Sequence, residues 1–506
     1  MTEEICDILV IGGGGSGLVA AVRAAEESGK RVIVLEKTKH PGGGMLFAST
    51  MRTFRSRWQE ERGIPDQSNE FIRKGMDLTL WRLDGELVKN AVLGTGQFFD
   101  WYSQYEKPEI LARYVARPYV FDIPVNGQSG PQIDGFHGGS GKVIMDTMLR
   151  RAKELGVEIL TERRAVDVEV KDEHISAVLA EGPEGTVKIS CQECILACGS
   201  WINNREITGR VCPQFLEADV FPNAHQNPAY TGDGLPIAEK VGAFIDEDSF
   251  CLRLMGPICS FGETSPLDAL THADTAIMVD LNAKRFVAEP MAPRMDPFDT
   301  GHVLLSHPRS KAFFLFSQNS LQVAINRTQS SNIAEDDPNP FAQRPLPPVE
   351  TVRQWFLDAQ SKRPGEAAVA DTVEALALQL GLAPCQLAQT IKEYNDSCAA
   401  GEDWVCFKNP SAMVPLSQGP YYAVEGKLST DGAFGGVRVN PRMQAYRPDG
   451  SLVNGLYVTG DFASGRHIVL GGVKKQVLND MSWALSSGFL AGTAAAEDLK
   501  TADEKK

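Results

Sequence analysis

The sequence predicts an α/β protein whose first domain is split in the sequence around an inserted α+β domain. Two observations lead to this organisation. A strand, glycine turn, helix and strand fill residues 8–36, and a similar strand, turn and helical pattern returns over 451–493. Between them, residues 250–350 lose regular periodicity and become rich in proline and methionine, as expected of a separate domain. We place the first part of the split domain at 1–250, the insertion at 251–425 and the second part at 426–506.

The N-terminal turn has the glycine spacing of a dinucleotide-binding site. An apolar run ends in Gly12-x-Gly14-x-x-Gly17, an alanine-rich helical pattern follows, and the next strand ends at Glu36. Gly12 allows a tight turn, Gly14 lets the backbone approach a pyrophosphate, and Gly17 lets helix and strand pack closely. The helix N-terminus directs N–H groups at the phosphates, and Glu36 accepts a hydrogen bond from a ribose hydroxyl. This pattern predicts a Rossmann-like nucleotide-binding domain.

Length and charge limit the classes of partner. The chain has 506 residues and a net charge of −15, which argues against nucleic acid and anionic membrane surfaces as partners. No apolar run reaches membrane-spanning length, and the N-terminus resembles no secretion signal. We expect a cytoplasmic protein that acts on a small molecule, with no nucleic acid and no membrane partner.

One cysteine spacing has two interpretations. Cys191-x-x-Cys194-x-x-x-Cys198 could hold a metal or form a disulfide. The β-rich run 188–197, which carries Cys191 and Cys194 and is followed directly by Cys198, favours cysteines packed as small apolar residues of a strand. We therefore expect no metal.

The order of these landmarks resembles the fumarate reductase/succinate dehydrogenase flavoprotein family along nearly the whole chain. The motifs that carry the resemblance, besides the N-terminal turn, are Gly43-Gly44, Ala197–Ser200, Thr231–Gly234, Arg285–Glu289, Thr390–Asn395 with Gly401, Asp403 and Phe407, Pro420–Ala423, Gly455–Asp461 and Leu470–Gly472.

The resemblance implies an FAD-binding domain, a cap domain, and hydride transfer between flavin N5 and a substrate carbon. His40 lies near the Gly-Gly turn but does not fit the family's attachment pattern, so we expect non-covalent FAD. The expected FAD contacts are Gly12, Gly14, Gly15, Ser16, Gly17, Glu36, Lys37, Gly43, Gly44, Met45, Val166, Ala197, Gly199, Asp233, Gly460, Asp461, Gly472 and Val473.

The family's dicarboxylate clamp of two histidines and two arginines is altered here. Residues 253–257 contain no histidine, Gly432 stands at a second histidine position, and Val469 replaces a substrate arginine. A charged carboxylate needs paired donors when it is desolvated. We therefore expect a neutral, largely apolar cyclic substrate, such as an isoflavonoid or a ketosteroid-like molecule. Four methionines of the insertion either line the pocket or belong to the core: Met255, Met278, Met291 and Met295.

Three residues are candidates for catalysis or substrate contact. Arg294 lies one residue further from Arg285 than the family's proton-donating arginine, so it is either the general acid or a surface or structural arginine. Arg466 and His467 lie where the family places substrate contacts, and the alternative for both is a solvated loop. The turn Gly471-Gly472 is expected to begin a helix over 473–491, whose N–H groups would face the flavin pyrimidine edge. At that helix start, Lys474 or Lys475 could face the flavin.

Two other functions stay open. One is a fumarate or enoate reductase with a rebuilt clamp, and the other is a non-catalytic flavin electron-transfer subunit. The electron donor is expected to be NAD(P)H or a redox protein.

Overall fold

The computed structural model describes residues 2–48, 51–114, 118–119, 133–134, 140–171, 173–218, 220–221, 228–262, 265–289, 300–329, 345–470 and 473–504. The chain forms two compact units. Unit 1 comprises 1–211, 225–252 and 432–506, and unit 2 comprises 212–224 and 253–431. Within the described ranges, no helix combines the length and apolar character needed to cross a membrane.

Regular elements follow one another closely along the chain. The elements up to residue 211 are β1 (Thr2–Ile5), β2 (Ile8–Ile11), α1 (Gly15–Ser28), β3 (Val32–Leu35), α2 (Arg57–Glu61), α3 (Ser68–Leu78), α4 (Gly85–Tyr102), α5 (Pro108–Tyr114), β4 (Pro118–Tyr119), β5 (Ile133–Asp134), α6 (Ser140–Glu154), β6 (Glu158–Leu160), β7 (Arg164–Lys171), β8 (His174–Gly182), β9 (Gly185–Ser190), β10 (Glu193–Leu196) and α7 (Arg205–Val211).

The elements that follow carry the insertion and the C-terminal part. They are α8 (Pro213–Glu217), β11 (Val220–Phe221), α9 (Gly234–Lys240), β12 (Cys251–Cys259), α10 (Asp268–Thr271), β13 (Ile277–Val279), α11 (Thr300–Leu305), β14 (Lys311–Ser317), α12 (Gln318–Gln329), α13 (Val349–Lys362), β15 (Ala367–Ala370), α14 (Val373–Leu380), α15 (Pro384–Ala400), β16 (Tyr421–Phe434), β17 (Gln444–Tyr446), β18 (Leu452–Val458), β19 (His467–Leu470), β20 (Val473–Gln476) and α16 (Asp480–Glu504).

A largely parallel sheet forms the centre of unit 1 and confirms the predicted α/β class. Its order is β1-β9-β8-β18-β10-β2-β3-β6, with β7 paired to β8 and β17 to β18. Strand β2 lies parallel between β3 and β10, and every residue of these three strands is buried. Because parallel strands end at the same edge of a sheet, Gly12, Glu36 and Ala197 follow neighbouring strands at one edge. That edge is where open α/β sheets bind ligands.

Helices α1 and α16 pack against each other at glycines of α16. A Cβ atom on Gly488 would overlap the Ser16 carbonyl oxygen, and one on Gly492 would overlap the Ala20 carbonyl oxygen. The two backbones therefore approach as closely as they do because these positions carry no side chain.

Unit 2 is built on a second sheet. Its order is β11-β16-β14-β13, and β12 and β15 also pair with β16. Strand β14 alternates its side chains between two cores, with Phe314 and Phe316 in one and Phe313 and Leu315 in the other. Met278 is 1% exposed within the first core, so it packs in the interior and does not line a pocket. The side chain of Met255, and Met291 and Met295, lie outside the described residues.

The unit boundaries differ slightly from those placed on the sequence. The chain passes from unit 1 to unit 2 after Leu252 and returns after Asp431, and the short stretch 212–224 also groups with unit 2. Its strand β11 pairs in parallel with β16, which explains why a segment distant in sequence joins that unit.

The predicted helix over 473–491 is wrong in its first turns. Residues 473–476 form β20, which pairs antiparallel with β19, and α16 begins only at Asp480. The Asn479 side chain accepts a hydrogen bond from the Ser482 N–H at 3.3 Å and so marks the true helix start. Cross-strand pairing with β19 decides the structure of this stretch, and the Gly-Gly signal alone did not reveal it.

The cysteines around β10 are free thiols of the sheet. Cys191 and Cys194 are buried, and a hydrogen bond with Cys191 together with burial raises the pKa of Cys194. No group of metal-binding side chains occurs in the part of the chain that the structure describes. The Cys194 thiol therefore stays protonated, and both cysteines pack as small side chains.

Candidate functional site

The glycine turn between β2 and α1 is crowded at two positions and open at one. A Cβ on Gly12, where φ is +112°, would overlap the Ala197 carbonyl oxygen, and one on Gly17 would overlap the Gly12 carbonyl oxygen. A Cβ on Gly14 would meet no atom of the protein within 4 Å. Gly14 is therefore the position at which a cofactor could approach the backbone, as its place in the motif predicts.

Glu36 is oriented toward this turn. Its carboxylate is buried and accepts hydrogen bonds from the Gly13 N–H at 2.9 Å and from the Thr38 N–H and hydroxyl at 2.7 and 2.8 Å. A carboxylate can accept about four hydrogen bonds, so these three leave capacity for a ribose hydroxyl. The structure thus brings the acid at the end of β3 to the glycine turn.

A second glycine turn lies against the first. Gly14 and Gly42 form an isolated bridge, and a Cβ on Gly43 would lie 3.5 Å from the Gly14 Cα. Gly44 leaves room for the Tyr230 hydroxyl, and the buried Met45 side chain occupies the space above Gly15. The expected FAD contacts at 43–45 therefore line the start of α1.

Lys37 and Asp233 are held in one polar cluster. The Lys37 ammonium donates to Thr231 Oγ1 at 2.9 Å and to Asp233 Oδ2 at 2.8 Å, and Arg164 donates to the other Asp233 oxygen at 2.8 Å. Burial opposes ionisation of Asp233, but the hydrogen bonds from Arg164 and Lys37 prevail and lower its pKa. Val166, two residues after Arg164, is 37% exposed and offers an apolar surface.

The C-terminal half of the site is held by α16. The Gly460 N–H donates to Ser487 Oγ at 3.1 Å, and the Trp483 indole N–H donates to the Gly460 carbonyl at 2.8 Å. Gly460 also lies beside Ser16 of α1, since a Cβ there would fall 2.6 Å from the Ser16 hydroxyl. Sequence reasoning missed Trp483 and Ser487, although their spacing of about one helical turn would place them on one face of a helix.

Arg466 is buried between two carboxylates. Its guanidinium lies 2.9 Å from Asp480 and 3.4 Å from Asp461, and it stacks over the Phe434 ring at 4.4 Å from the ring centre. His467 is also buried, with Nε2 2.6 Å from the Ser249 carbonyl oxygen. The solvated-loop alternative is therefore wrong for both residues.

The structure describes some of the remaining expected site residues and not others. Gly199, with φ +68°, follows β10 directly after Ala197, whose N–H donates to Ile11. Val473 lies in β20 rather than in a helix. Gly472 and Arg294 lie outside the described residues, as do the side chains of Lys474 and Lys475.

The Arg-Phe-x-x-Glu motif forms a buried ion cluster within unit 2. Arg285 lies 2.8 Å from Glu289 and 2.9 Å from Asp403, and its guanidinium stacks on the Tyr394 ring. Burial lowers the pKa of Lys408, which lies 3.6 Å from Glu289. The motif therefore has a structural role in this chain, because its charges are paired with one another.

Comparisons with known proteins agree with this geometry. The family described as an FAD binding domain matches residues 7–470. The chain is 25% identical over 504 residues to the probable fumarate reductase Ifc3 of Shewanella frigidimarina, covering 98% of this chain and 75% of that protein. It is 23% identical over 477 residues to vinyl phenol reductase of Lactiplantibacillus plantarum, covering 91% and 90%.

A solved structure shares the fold. It is that of 3-ketosteroid-Δ4-(5α)-dehydrogenase from Rhodococcus jostii RHA1 in complex with 4-androstene-3,17-dione. The TM-score is 0.69 at 20% identity, with 98% of each chain covered. The open backbone at Gly14 and the oriented Glu36 carboxylate fit the cofactor that the family match requires.

Proposed function

Because this chain belongs to the FAD binding domain family and is an FAD-dependent oxidoreductase, we propose that it reduces a neutral, largely apolar ring compound. FAD, when bound, supplies hydride transfer at a substrate carbon. The residues of this chain hold the cofactor, orient the substrate and deliver the proton. Vinyl phenol reductase and the ketosteroid dehydrogenase, whose names specify ring compounds, support this substrate class.

The observation that carries the proposal is the pairing of Arg466. This arginine lies on the loop where a dicarboxylate reductase would need a cation, yet Asp461 and Asp480 already oppose its charge. A substrate carboxylate brought to this position would be the third carboxylate beside Arg466, and the charges of Asp461 and Asp480 would repel it. A neutral substrate does not meet that repulsion.

The residues at the positions of the family's dicarboxylate clamp agree with a neutral substrate. Residues 253–257 carry no histidine, and Gly432 and Val469 offer no charged or hydrogen-bonding side chain. Arg294 supplies the proton to the substrate carbon under this proposal. An arginine stays protonated at neutral pH, so a path to solvent must restore its proton after each turnover.

A second candidate function is reduction of fumarate or another enoate by a rebuilt clamp. The match to the probable fumarate reductase Ifc3 favours it, since that match spans nearly the whole of this chain. Electrons reach the flavin from NAD(P)H or from a redox protein in either case.

A flavin reoxidation assay tests the proposal. The holoenzyme is photoreduced anaerobically, and the flavin absorbance is followed after addition of 4-vinylphenol, 4-androstene-3,17-dione, urocanate or fumarate at equal concentration. We expect a ring compound without a carboxylate to reoxidise the flavin at least tenfold faster than fumarate. Rapid reoxidation by fumarate alone would instead support the second candidate. Parallel assays with NADH, NADPH and reduced methyl viologen then identify the donor class.

A further inference from the structure

An arginine that the sequence motifs did not single out lies beside the nucleotide turn of unit 1. The Arg163 N–H donates to the Glu36 carbonyl oxygen at 2.9 Å, and the Glu162 N–H donates to the Thr38 carbonyl oxygen at 3.1 Å. These two hydrogen bonds join the start of β7 to the end of β3. Arg164, the first residue of β7, therefore lies next to the acid that is expected to hold the ribose of FAD.

The covalent structure of FAD indicates which part of the cofactor would reach this arginine. In a dinucleotide-binding turn the pyrophosphate lies at the helix N-terminus, and the acid after the second strand binds the 2′-hydroxyl of the ribose. Adenine is attached to C1′, the neighbouring carbon of that ribose. Strands β2 and β6 lie on opposite sides of β3, so the residues after β6 lie on the side of Glu36 away from the glycine turn. A base attached at C1′ can therefore extend toward the start of β7.

Asp233 fixes the orientation of the Arg164 guanidinium. Arg164 Nε and Nη2 donate to the two carboxylate oxygens of Asp233 at 3.2 and 2.8 Å. The same carboxylate accepts hydrogen bonds from Lys37 and from Thr231, each at 2.8 Å, so its own position is fixed as well. Two parallel hydrogen bonds hold a guanidinium in a defined plane. The Arg164 side chain is nevertheless 58% exposed, so part of the group is open to a ligand.

Val166 extends the exposed surface beside this guanidinium. The register of β7 against β8 shifts between Ala165 and Asp167, so Val166 lies opposite no residue of β8. Arg164 and Val166 are both exposed, whereas Ala165 between them is buried. The two exposed side chains therefore share one face of the strand. A planar cation beside an exposed apolar side chain suits the face of an aromatic ring.

We propose that Arg164 stacks its guanidinium on the adenine ring of FAD, with Val166 packed beside the same ring. A guanidinium is planar and more weakly hydrated than an ammonium, so it stacks on an aromatic face at a lower desolvation cost. Asp233 is a positioning residue in this arrangement, because it orients Arg164. The inference concerns the cofactor of the family and does not depend on the proposed substrate.

A competition between two flavins tests the proposal without turnover. The purified holoenzyme is equilibrated with FAD and with riboflavin 5′-diphosphoribose, which is FAD without its adenine, at equal concentrations in large excess over the protein. Once the bound ratio is constant, the protein is desalted rapidly, and the bound flavins are released with acid and separated by chromatography. The ratio reports the contribution of adenine alone, because attraction of a cation to the diphosphate is common to both flavins and cancels.

The expected result is a preference for FAD that depends on Arg164. Arg164→Ala should lower the ratio of bound FAD to bound analogue roughly three- to thirtyfold, the effect of one cation–π contact. Arg164→Lys should also lower it, because an ammonium keeps the charge but has neither the flat face nor the two-point bond to Asp233. The matched control is Arg163→Ala, which removes the same charge one residue earlier. The Arg163 side chain pairs with Glu184 instead, so the control should keep the wild-type ratio.

Three outcomes overturn the inference. The ratio stays at the wild-type value in Arg164→Ala, it stays there in Arg164→Lys, or Arg163→Ala lowers it as much as Arg164→Ala does. Circular dichroism and melting temperature show that each variant is folded. The proposed function fails separately, when no ring compound reoxidises the reduced flavin faster than fumarate.

Discussion

Arg466 and Asp480 form an ion pair of 2.9 Å that joins the loop after β18 to the first residue of α16. The same guanidinium faces Asp461, directly after Gly460, whose backbone is bound by Trp483 and Ser487 of that helix. One buried cation thus connects the C-terminal half of the cofactor site to the helix that supports it.

Removing Asp480 should destabilise the fold. Asp480→Ala removes the carboxylate that lies 2.9 Å from the buried Arg466 guanidinium. We expect a loss of about 2 kcal/mol in the free energy of unfolding, less than the roughly 3–5 kcal/mol for breaking a fully buried pair. Urea denaturation measures the loss. The control Asp396→Ala breaks the exposed pair with Lys392 and should cost below about 0.5 kcal/mol. Equal effects of the two substitutions would contradict this role for Arg466.

Glu36 should contribute to retention of FAD. Glu36→Ala removes the acceptor expected for the ribose hydroxyl, and loss of a hydrogen bond to a charged group costs roughly 1.5–3 kcal/mol. Dialysis followed by acid precipitation should release less FAD from this variant than from the wild type. Glu184→Ala, whose side chain is 87% exposed, provides the control. Flavin recovered in the precipitate as a peptide adduct would refute non-covalent binding.

The α1–α16 crossing should not tolerate a side chain at Gly488. Gly488→Val places a branched side chain against the Ser16 carbonyl oxygen and forces the two helices apart. Overpacking of this kind costs roughly 1–3 kcal/mol and should also lower FAD content, because Ser16 lies in the first turn of α1. Gly94→Ala is the control, since the atoms nearest to its Cβ would be side-chain atoms of Leu490 and Ser486, at 3.3 and 3.4 Å, rather than backbone atoms. Calorimetric melting and the flavin-to-protein ratio distinguish the two variants.

Arg294 should be required for turnover but not for the cofactor. Arg294→Ala removes the proposed proton donor, so we expect turnover to fall by about 10²-fold or more with unchanged FAD content. Arg294→Lys retains a cationic acid and should keep a trace of activity. Steady-state rates with the substrate found by reoxidation measure both. A fully active Arg294→Ala would exclude this residue as the donor.

Glu193 should make stability depend on pH. Burial, and then the charge of Asp498, raise the pKa of Glu193 to about 7 from its ordinary value of 4.5. A raised carboxyl pKa stabilises the folded state fully below pH 4.5, and this contribution is lost as pH rises through 7. Glu193→Gln should therefore be more stable than the wild type at pH 8 by about 2–3 kcal/mol, with little difference at pH 4. Denaturation at the two pH values measures this, and a pH-independent difference would contradict the assignment.

The N-terminal half of the site could be predicted from the sequence because its geometry is local. The turn at Gly12, Gly14 and Gly17 and the acid at Glu36 lie within one strand–helix–strand unit, where spacing determines which groups meet. The split domain was also predictable, since strand and glycine signals recur at the end of the chain. The C-terminal half was harder to predict from the sequence. A Gly-Gly pair such as Gly471-Gly472 can precede a helix or connect two paired strands, and the local sequence does not distinguish the two.

The sequence by itself therefore determined the α/β class and the cofactor family, both of which depend on residue type and short spacing. Tertiary structure alone decided that β19 and β20 pair and that Arg466 is opposed by two carboxylates. These features depend on burial and on contacts between residues distant in sequence. Such contacts determine the free energy of burying a charged group, and no local sequence pattern predicts them.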